Sequence, residues 1–212
     1  MTEAEAQTWL REQLHVSGEA MEQLDAFVDY LMREAASQNL VAASTLDHIW
    51  ARHIADSAQL LTFLTDESWE DWLDLGSGAG LPGIVIGILT GKSVTLVESR
   101  ARRIEYLQRA TEMLGLEKKV SVAGLPLEKL KTTQFDIISA RAFAPLPRLL
   151  EGAARFSTEK TLWLLPKGKN AATELIGAQE NWDLMFHVKH SVTDPEAGIL
   201  VGKVRGPRKK RT

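Results

Sequence analysis

Cysteine is absent from the 212 residues, and with it go disulfides, thiolate metal sites and any cysteine nucleophile. No metal centre is expected. No apolar run approaches the roughly 18 residues that a bilayer-spanning helix needs. The start, MTEAEAQTWLREQ, has neither the basic nor the apolar region of a secretory signal, so the chain is expected to be cytoplasmic. At 44% hydrophobic and 25% charged residues, the composition is that of one main globular core with a small appended segment.

Charge of one sign is scarce at each end. Residues 1–68 carry a net −9, residues 69–204 +1 and residues 205–212 +5, within a total of −3. Only part of the surface therefore suits a polyanion, because phosphate contacts need clustered Lys and Arg. The run RGPRKKRT reads as a solvated tail at least as readily as a contact surface. These shifts divide the chain into a helical N-terminal segment at 1–68, an α/β domain at 69–204 and a basic tail at 205–212.

What the chain does have is a glycine loop. WLDLGSGAGLPG at 72–83 reads as strand, tight loop and helix start. Gly76, Gly78 and Gly80 let the backbone turn sharply and a nucleotide lie against it, beside the unpaired N–H groups of a helix N-terminus. SVTLV at 93–97 reads as a second strand and places Glu98 where a carboxylate meets ribose hydroxyls. Two glycine registers fit, and Gly78-x-Gly80-x-x-Gly83 is the dinucleotide fingerprint, so the glycines alone leave a nicotinamide oxidoreductase open. Asp74 tips the balance. The pattern D-x-G-x-G-x-G resembles that of S-adenosylmethionine (SAM) methyltransferases, in which this acid helps hold the methionine end.

In chain order, residues 3–15 read as a helix, and Ser17 caps a second one whose Met21, Leu24, Val28, Leu31 and Ala35 form one buried stripe. Ser44 with Asp47 reads as a capping box for a third helix, roughly 46–64, with Leu46, Ile49, Trp50, Ile54, Leu61 and Leu64 inward. Arg52, His53 and Asp56 on its edges either orient a substrate RNA or pin the helix face. From residue 69 strands and helices alternate as in a parallel doubly wound sheet, with seven strands in all, the last near 199–204. Leu127 and Glu128, after the third strand, are candidates for an adenine edge by fold analogy. Arg141, beyond the fourth strand (135–140), and Lys167, after the fifth (161–165), should face the crevice at the carboxyl ends of the strands.

The segment Ser139-Ala140-Arg141-Ala142 lacks the Asn/Asp-Pro-Pro-aromatic motif used on exocyclic amines, and attack through a pyrimidine C6 needs a cysteine. An endocyclic purine nitrogen needs neither. GSGAGLPGI (76–84), ISARAF (138–143), LPKG (165–168) and the upstream ARHIADS (51–57) resemble the RsmG/GidB family, methyltransferases that make 7-methylguanosine in 16S ribosomal RNA. That resemblance implies a doubly wound, Rossmann-like seven-stranded SAM methyltransferase sheet and the small ribosomal subunit as partner. It also implies a pocket for SAM (product S-adenosylhomocysteine) made by Asp74, Gly76, Gly78, Gly80, Leu81, Glu98, Leu127, Glu128 and Arg141. Asn39, Arg141 and Lys167 are then the active-site candidates, with Arg52, His53 and Lys167 towards RNA; the family's Arg near the last strand is missing from EAGILVGK (196–203), and Arg208 and Lys209 of the tail are read as substitutes for it. A non-catalytic RNA-binding module is the alternative, and a monomer is expected.

Overall fold

The computed structural model describes residues 1–65 and 68–208. Five strands are parallel: Asp71–Leu75 (β1), Ser93–Glu98 (β2), Val120–Gly124 (β3), Ile137–Ala140 (β4) and Leu162–Gly168 (β5). Gly198–Pro207 (β7) lies antiparallel between β5 and Trp182–His190 (β6), which gives the order β3-β2-β1-β4-β5-β7-β6. The seven-stranded doubly wound sheet is as expected, and it is mixed, with β7 as its antiparallel strand. The short connection 191–197 is a hairpin, and a parallel pairing would need a crossover of a dozen or more residues. β7 also runs on through Arg205 to Pro207, so the start of the expected tail is strand.

Glu3–Glu12 (α1), Gly18–Ala35 (α2), Gly83–Thr90 (α4) and Ala101–Met113 (α5) share one core with β1, β2 and β3. The second core, on the opposite side, packs Leu146–Ala153 (α6) and Ala171–Gln179 (α7) against β4, β5, β6 and β7. The N-terminal segment is thus not a separate unit. Leu24, Phe27 and Ile54 are completely buried alongside Ile84, Leu96 and Leu107. The helix α6, for which the sequence analysis has no counterpart, starts after Pro145 and has Pro147 in its first turn. Proline is tolerated in a first helical turn, and Leu146, Leu149, Leu150 and Ala153 form its buried stripe.

The third helix differs most from expectation. It is a succession of a 3-10 helix (Ala43–His48), a π turn (Trp50–Ala55), one α turn, Asp56–Ala58 (α3), and a second 3-10 helix (Gln59–Phe63). The Ser44–Asp47 capping box does not form, since Ala42 occupies the cap position. Instead the Glu3 carboxylate accepts hydrogen bonds from the backbone N–H groups of Trp50 and Ala51, both at 2.9 Å. The wide π turn buries Ala51, His53, Ile54 and Ala55 together, more of the circumference than an α-helical stripe covers. Ile49, Trp50 and Ile54 are buried as expected, whereas Leu46, Leu61 and Leu64 are half-buried.

Gly83 shows how tightly α4 is seated. A Cβ there would overlap Leu96 Cδ2 and lie 3.0 Å from Asp74 Oδ2. Gly83→Ala should therefore destabilise the protein by about 1–3 kcal/mol, the usual cost of overpacking. The check is a lower urea midpoint at constant m; an unchanged midpoint would mean that α4 moves freely on the sheet.

Candidate active site

β1 ends in the glycine loop, and Gly76, Gly78 and Gly80 all have positive φ (68°, 53° and 83°). Gly76 N–H and Ser77 N–H donate to Val97 O at 2.9 and 3.0 Å, which ties the loop to β2. Tyr106 of α5 donates its hydroxyl to Ala79 O at 3.1 Å from behind. Glu98, 6% exposed, accepts from Gly78 N–H at 3.2 Å with Oε2 and from Ser99 and Arg100 N–H at 2.7 and 2.9 Å with Oε1. Two long side chains reach over this part of the loop. The Phe143 ring lies against Gly76, and Arg103 Nη1 is 3.6 Å from where a Gly78 Cβ would be. A backbone cradle beside a buried carboxylate, with the ends of Phe143 and Arg103 against it, fits a nucleoside ligand.

Asp74 was expected to line this cradle, and it does not. It is wholly buried, taking Ser139 Oγ–H on Oδ1 at 2.8 Å and Gly83 N–H on Oδ2 at 3.3 Å. Trp72 Nε1–H in turn donates to Ser139 Oγ at 2.8 Å. Burial pushes its pKa up to about 6, against the lowering effect of these hydrogen bonds. Asp74 supports the loop from behind. Leu81 and Leu127 likewise direct their side chains into the two cores, so they can offer a ligand only backbone, while Glu128 is an exposed carboxylate after β3.

A cavity of about 670 Å³ opens at the carboxyl ends of β4 and β5, and Arg52, His53, Asp56, Arg141, Phe143 and Lys167 are among its walls. Arg141 is held on three sides. Its guanidinium donates to His53 Nδ1 at 3.2 and 3.3 Å and to Arg52 O at 3.5 Å, and it pairs with Asp56 Oδ2 at 3.6 Å. Desolvation lowers the Arg141 pKa, partly offset by Asp56 and Asp74. The tautomer of His53 follows from its neighbours. Thr45 Oγ1 gives its proton to Ala42 O at 2.7 Å, so at the 2.7 Å contact with His53 it accepts, and His53 carries its proton on Nε2. Nδ1 is left as acceptor for Arg141. Burial first, and then the charges of Arg141 and Arg52, bring the His53 pKa down to about 3.

His53, a wall of the cavity, thus has both ring nitrogens engaged, one of them by Arg141. Lys167 is also a brace, its ammonium donating to Ala144 O at 2.8 Å and pairing with Glu174 at 3.0 Å. Arg52 reaches the cavity mouth, 46% exposed, and pairs with Asp194 at 2.8 Å. Asn39 lies on the other side, beside the glycine loop, where its carbonyl takes a 2.9 Å hydrogen bond from Arg103. Arg208 is not brought to the site. It bonds to Trp182 O and Asn181 O, at the opposite end of the sheet, because β7 runs away from the crevice. Lys209 lies outside the described residues. Among the described residues no group of three or more His, Asp or Glu is placed to hold a metal, and no helix is long and apolar enough to cross a membrane.

Sequence reasoning missed Phe143. It is the one aromatic among the exposed large hydrophobic residues of the described chain, and it stands between the glycine loop and the cavity. Its place three residues past the fourth strand and two past Arg141 was the available signal.

A family model described as GidB, rRNA small subunit methyltransferase G, matches residues 20–198. Ribosomal RNA small subunit methyltransferase G of Sphingopyxis alaskensis is 53% identical, over 99% of this chain and 89% of the relative. That of Zymomonas mobilis is 48% identical, over 100% of this chain and 98% of the relative. Among solved structures, a putative O-methyltransferase from Klebsiella pneumoniae superposes with TM-score 0.59 at 16% identity, covering 92% and 94% of the two chains. A SAM dependent methyltransferase from Aquifex aeolicus does so with TM-score 0.57 at 17% identity, covering 78% and 95%. Both structural likenesses concern the fold.

The His53 environment has a pH signature. Its folded pKa, about 3, lies below the ordinary 6.5, so the stability it contributes is complete above 6.5 and is lost as pH falls through that window. Asp74 has the opposite sign, losing stability as pH rises from 3.8 to about 6. His53→Gln keeps a neutral donor and acceptor, so the stability difference between wild type and variant should shrink by about 2 kcal/mol between pH 7.5 and pH 5. Urea unfolding at the two values measures it. An unchanged difference would mean that His53 takes up its proton over the same pH range in the folded protein as in the unfolded chain.

Proposed function

The chain belongs to the rRNA small subunit methyltransferase G (GidB) family, and from that premise we propose that it methylates N7 of a guanosine in 16S ribosomal RNA. It is a SAM-dependent rRNA methyltransferase. The observation that carries the positional reading is Phe143, which has the glycine loop on one side and the Arg141 cavity on the other. The backbone of Gly76, Gly78 and Gly80, with Glu98, would hold SAM, which supplies a sulfonium methyl group that a purine N7 lone pair can take without first losing a proton. The chain's own work is then binding and alignment, which can lower a barrier by on the order of 7–11 kcal/mol.

Arg141 suits the acceptor. Guanine presents N7 and O6 as adjacent acceptors, and a donor directed to O6 orients the base while leaving N7 free. Phe143 gives the base a face to stack on, as enzymes that work on extruded bases do. No general base is needed, which agrees with a His53 that is neutral and has both nitrogens engaged. We read residues 1–68 as the segment that holds Arg141 in place through His53 and Asp56, and residues 69–204 as the cofactor and acceptor sheet. The protein acts in this reading as a monomer in the cytoplasm, on the small subunit or its RNA.

Two measurements test this. Wild-type protein with labelled SAM and small-subunit particles should place the label where borohydride and aniline cleave the RNA, the reaction of 7-methylguanosine; label elsewhere sinks the N7 assignment. Phe143→Ala should lower kcat/KM by about 10–100-fold, corresponding to the roughly 1–3 kcal/mol of one base–aromatic stack, with Phe143→Tyr close to wild type. Equal activity of Phe143→Ala would remove the stacking role.

A further inference from the structure

The hairpin connection 191–197 stands at the carboxyl edge of the sheet because β6 runs parallel to β5, and it carries Asp194 to the cavity mouth and Glu196 to Lys169, another of the cavity's walls. Asp194 pairs with Arg52 at 2.8 Å, and Glu196 pairs with Lys169, which follows β5. The two cations come from distant parts of the chain and meet at one loop. The loop is not loose. Asp194 Oδ1 accepts Glu196 N–H at 3.0 Å, Thr193 Oγ1 donates to Asp56 at 2.9 Å and Val192 N–H donates to Gln59 at 2.8 Å.

We propose that Arg52 and Lys169 form a phosphodiester site at the lip of the cavity, and that Asp194 and Glu196 occupy it in the free protein as stand-ins for RNA phosphates. The inference rests on the RNA substrate read above. A carboxylate and a phosphodiester offer a cation the same kind of pair of anionic oxygens, so one can replace the other on Arg52. At Lys169 the exchange is cheap, because the Glu196 carboxylate can turn to water. The Lys169 and Glu196 side chains are 70% and 67% exposed, and exposed ion pairs contribute little. The device has a use in a chain of net charge −3. With its cations already paired, the lip gives stray polyanions little, while an RNA that also seats a base in the cavity gains from both.

The test is the KM for small-subunit RNA of Asp194→Asn/Glu196→Gln, which frees both cations while the new amide oxygen at position 194 can still accept the backbone N–H of position 196 in the turn. KM should fall about 3–10-fold. In an Arg52→Gln/Lys169→Gln background the same pair of changes should leave KM unmoved, and the remote Glu22→Gln on α2 should move it less than 2-fold. An unchanged or raised KM, or a fall that persists without the two cations, overturns the proposal. Methyl transfer by the wild type separates the two readings. If it is present, a failed variant series overturns this inference alone; if it is absent, the RNA reading fails and this site with it.

Discussion

A buried carboxylate bridges the point at which the sheet changes direction. β1 has β2 on one side and β4 on the other, so the crevice opens between β1 and β4. Asp74, on β1, accepts a hydrogen bond from Ser139 of β4 and another from Gly83 at the start of α4. One side chain thus fixes the two strands and the helix around the loop. Its cost is visible in a pKa pushed up to about 6, and leaving either donor without it would strand a buried polar group. Tyr106, Val97 O and Glu98 then hold the loop from the other side.

The acceptor side is organised by a second rule, that cations are used as structural parts before they are used on a substrate. Lys167 holds the 141–145 segment to β5, and Arg141 is gripped by the π turn through His53 and by α3 through Asp56. Such pairing limits the freedom of long side chains in a cavity whose other walls include prolines and a phenylalanine. It also ties the N-terminal segment to the site. The π turn that presents His53 is itself capped by Glu3, so the first turn of α1 is linked through backbone hydrogen bonds to the position of Arg141.

The alternation of strands and the glycine loop were legible because both depend on local signals: apolar patterning, turn residues and a carboxylate at a strand end. The same signals carried Glu98 to its place. What they did not carry were facts that depend on register between distant segments. Asp74 and a ligand-facing acid have the same spacing to Gly76, and only the pairing of β1 with β4 turns Asp74 towards Ser139. The irregular helix at 43–63 was read as a regular one because the Glu3 carboxylate that caps Trp50 and Ala51 is distant in sequence, 47 and 48 residues away. Arg208 was grouped with the site by its charge, although the direction of β7 takes it to the far end of the sheet.

The protonation of the site bears on which atom can be methylated. A base that must lose a proton before it attacks needs a nearby acceptor that is free near neutral pH. His53 is neutral, but Thr45 takes its Nε2 proton and Arg141 fills its Nδ1, so the imidazole has no lone pair to offer. Asp56 spends one oxygen on Gln59 and Thr193 and the other on Arg141, and Glu174 is committed to Lys167 and the Leu146 N–H. Each of these candidates for proton removal at the cavity wall is thereby bound to a fixed donor. Such walls suit a nucleophile whose lone pair is already available, as that of guanine N7 is.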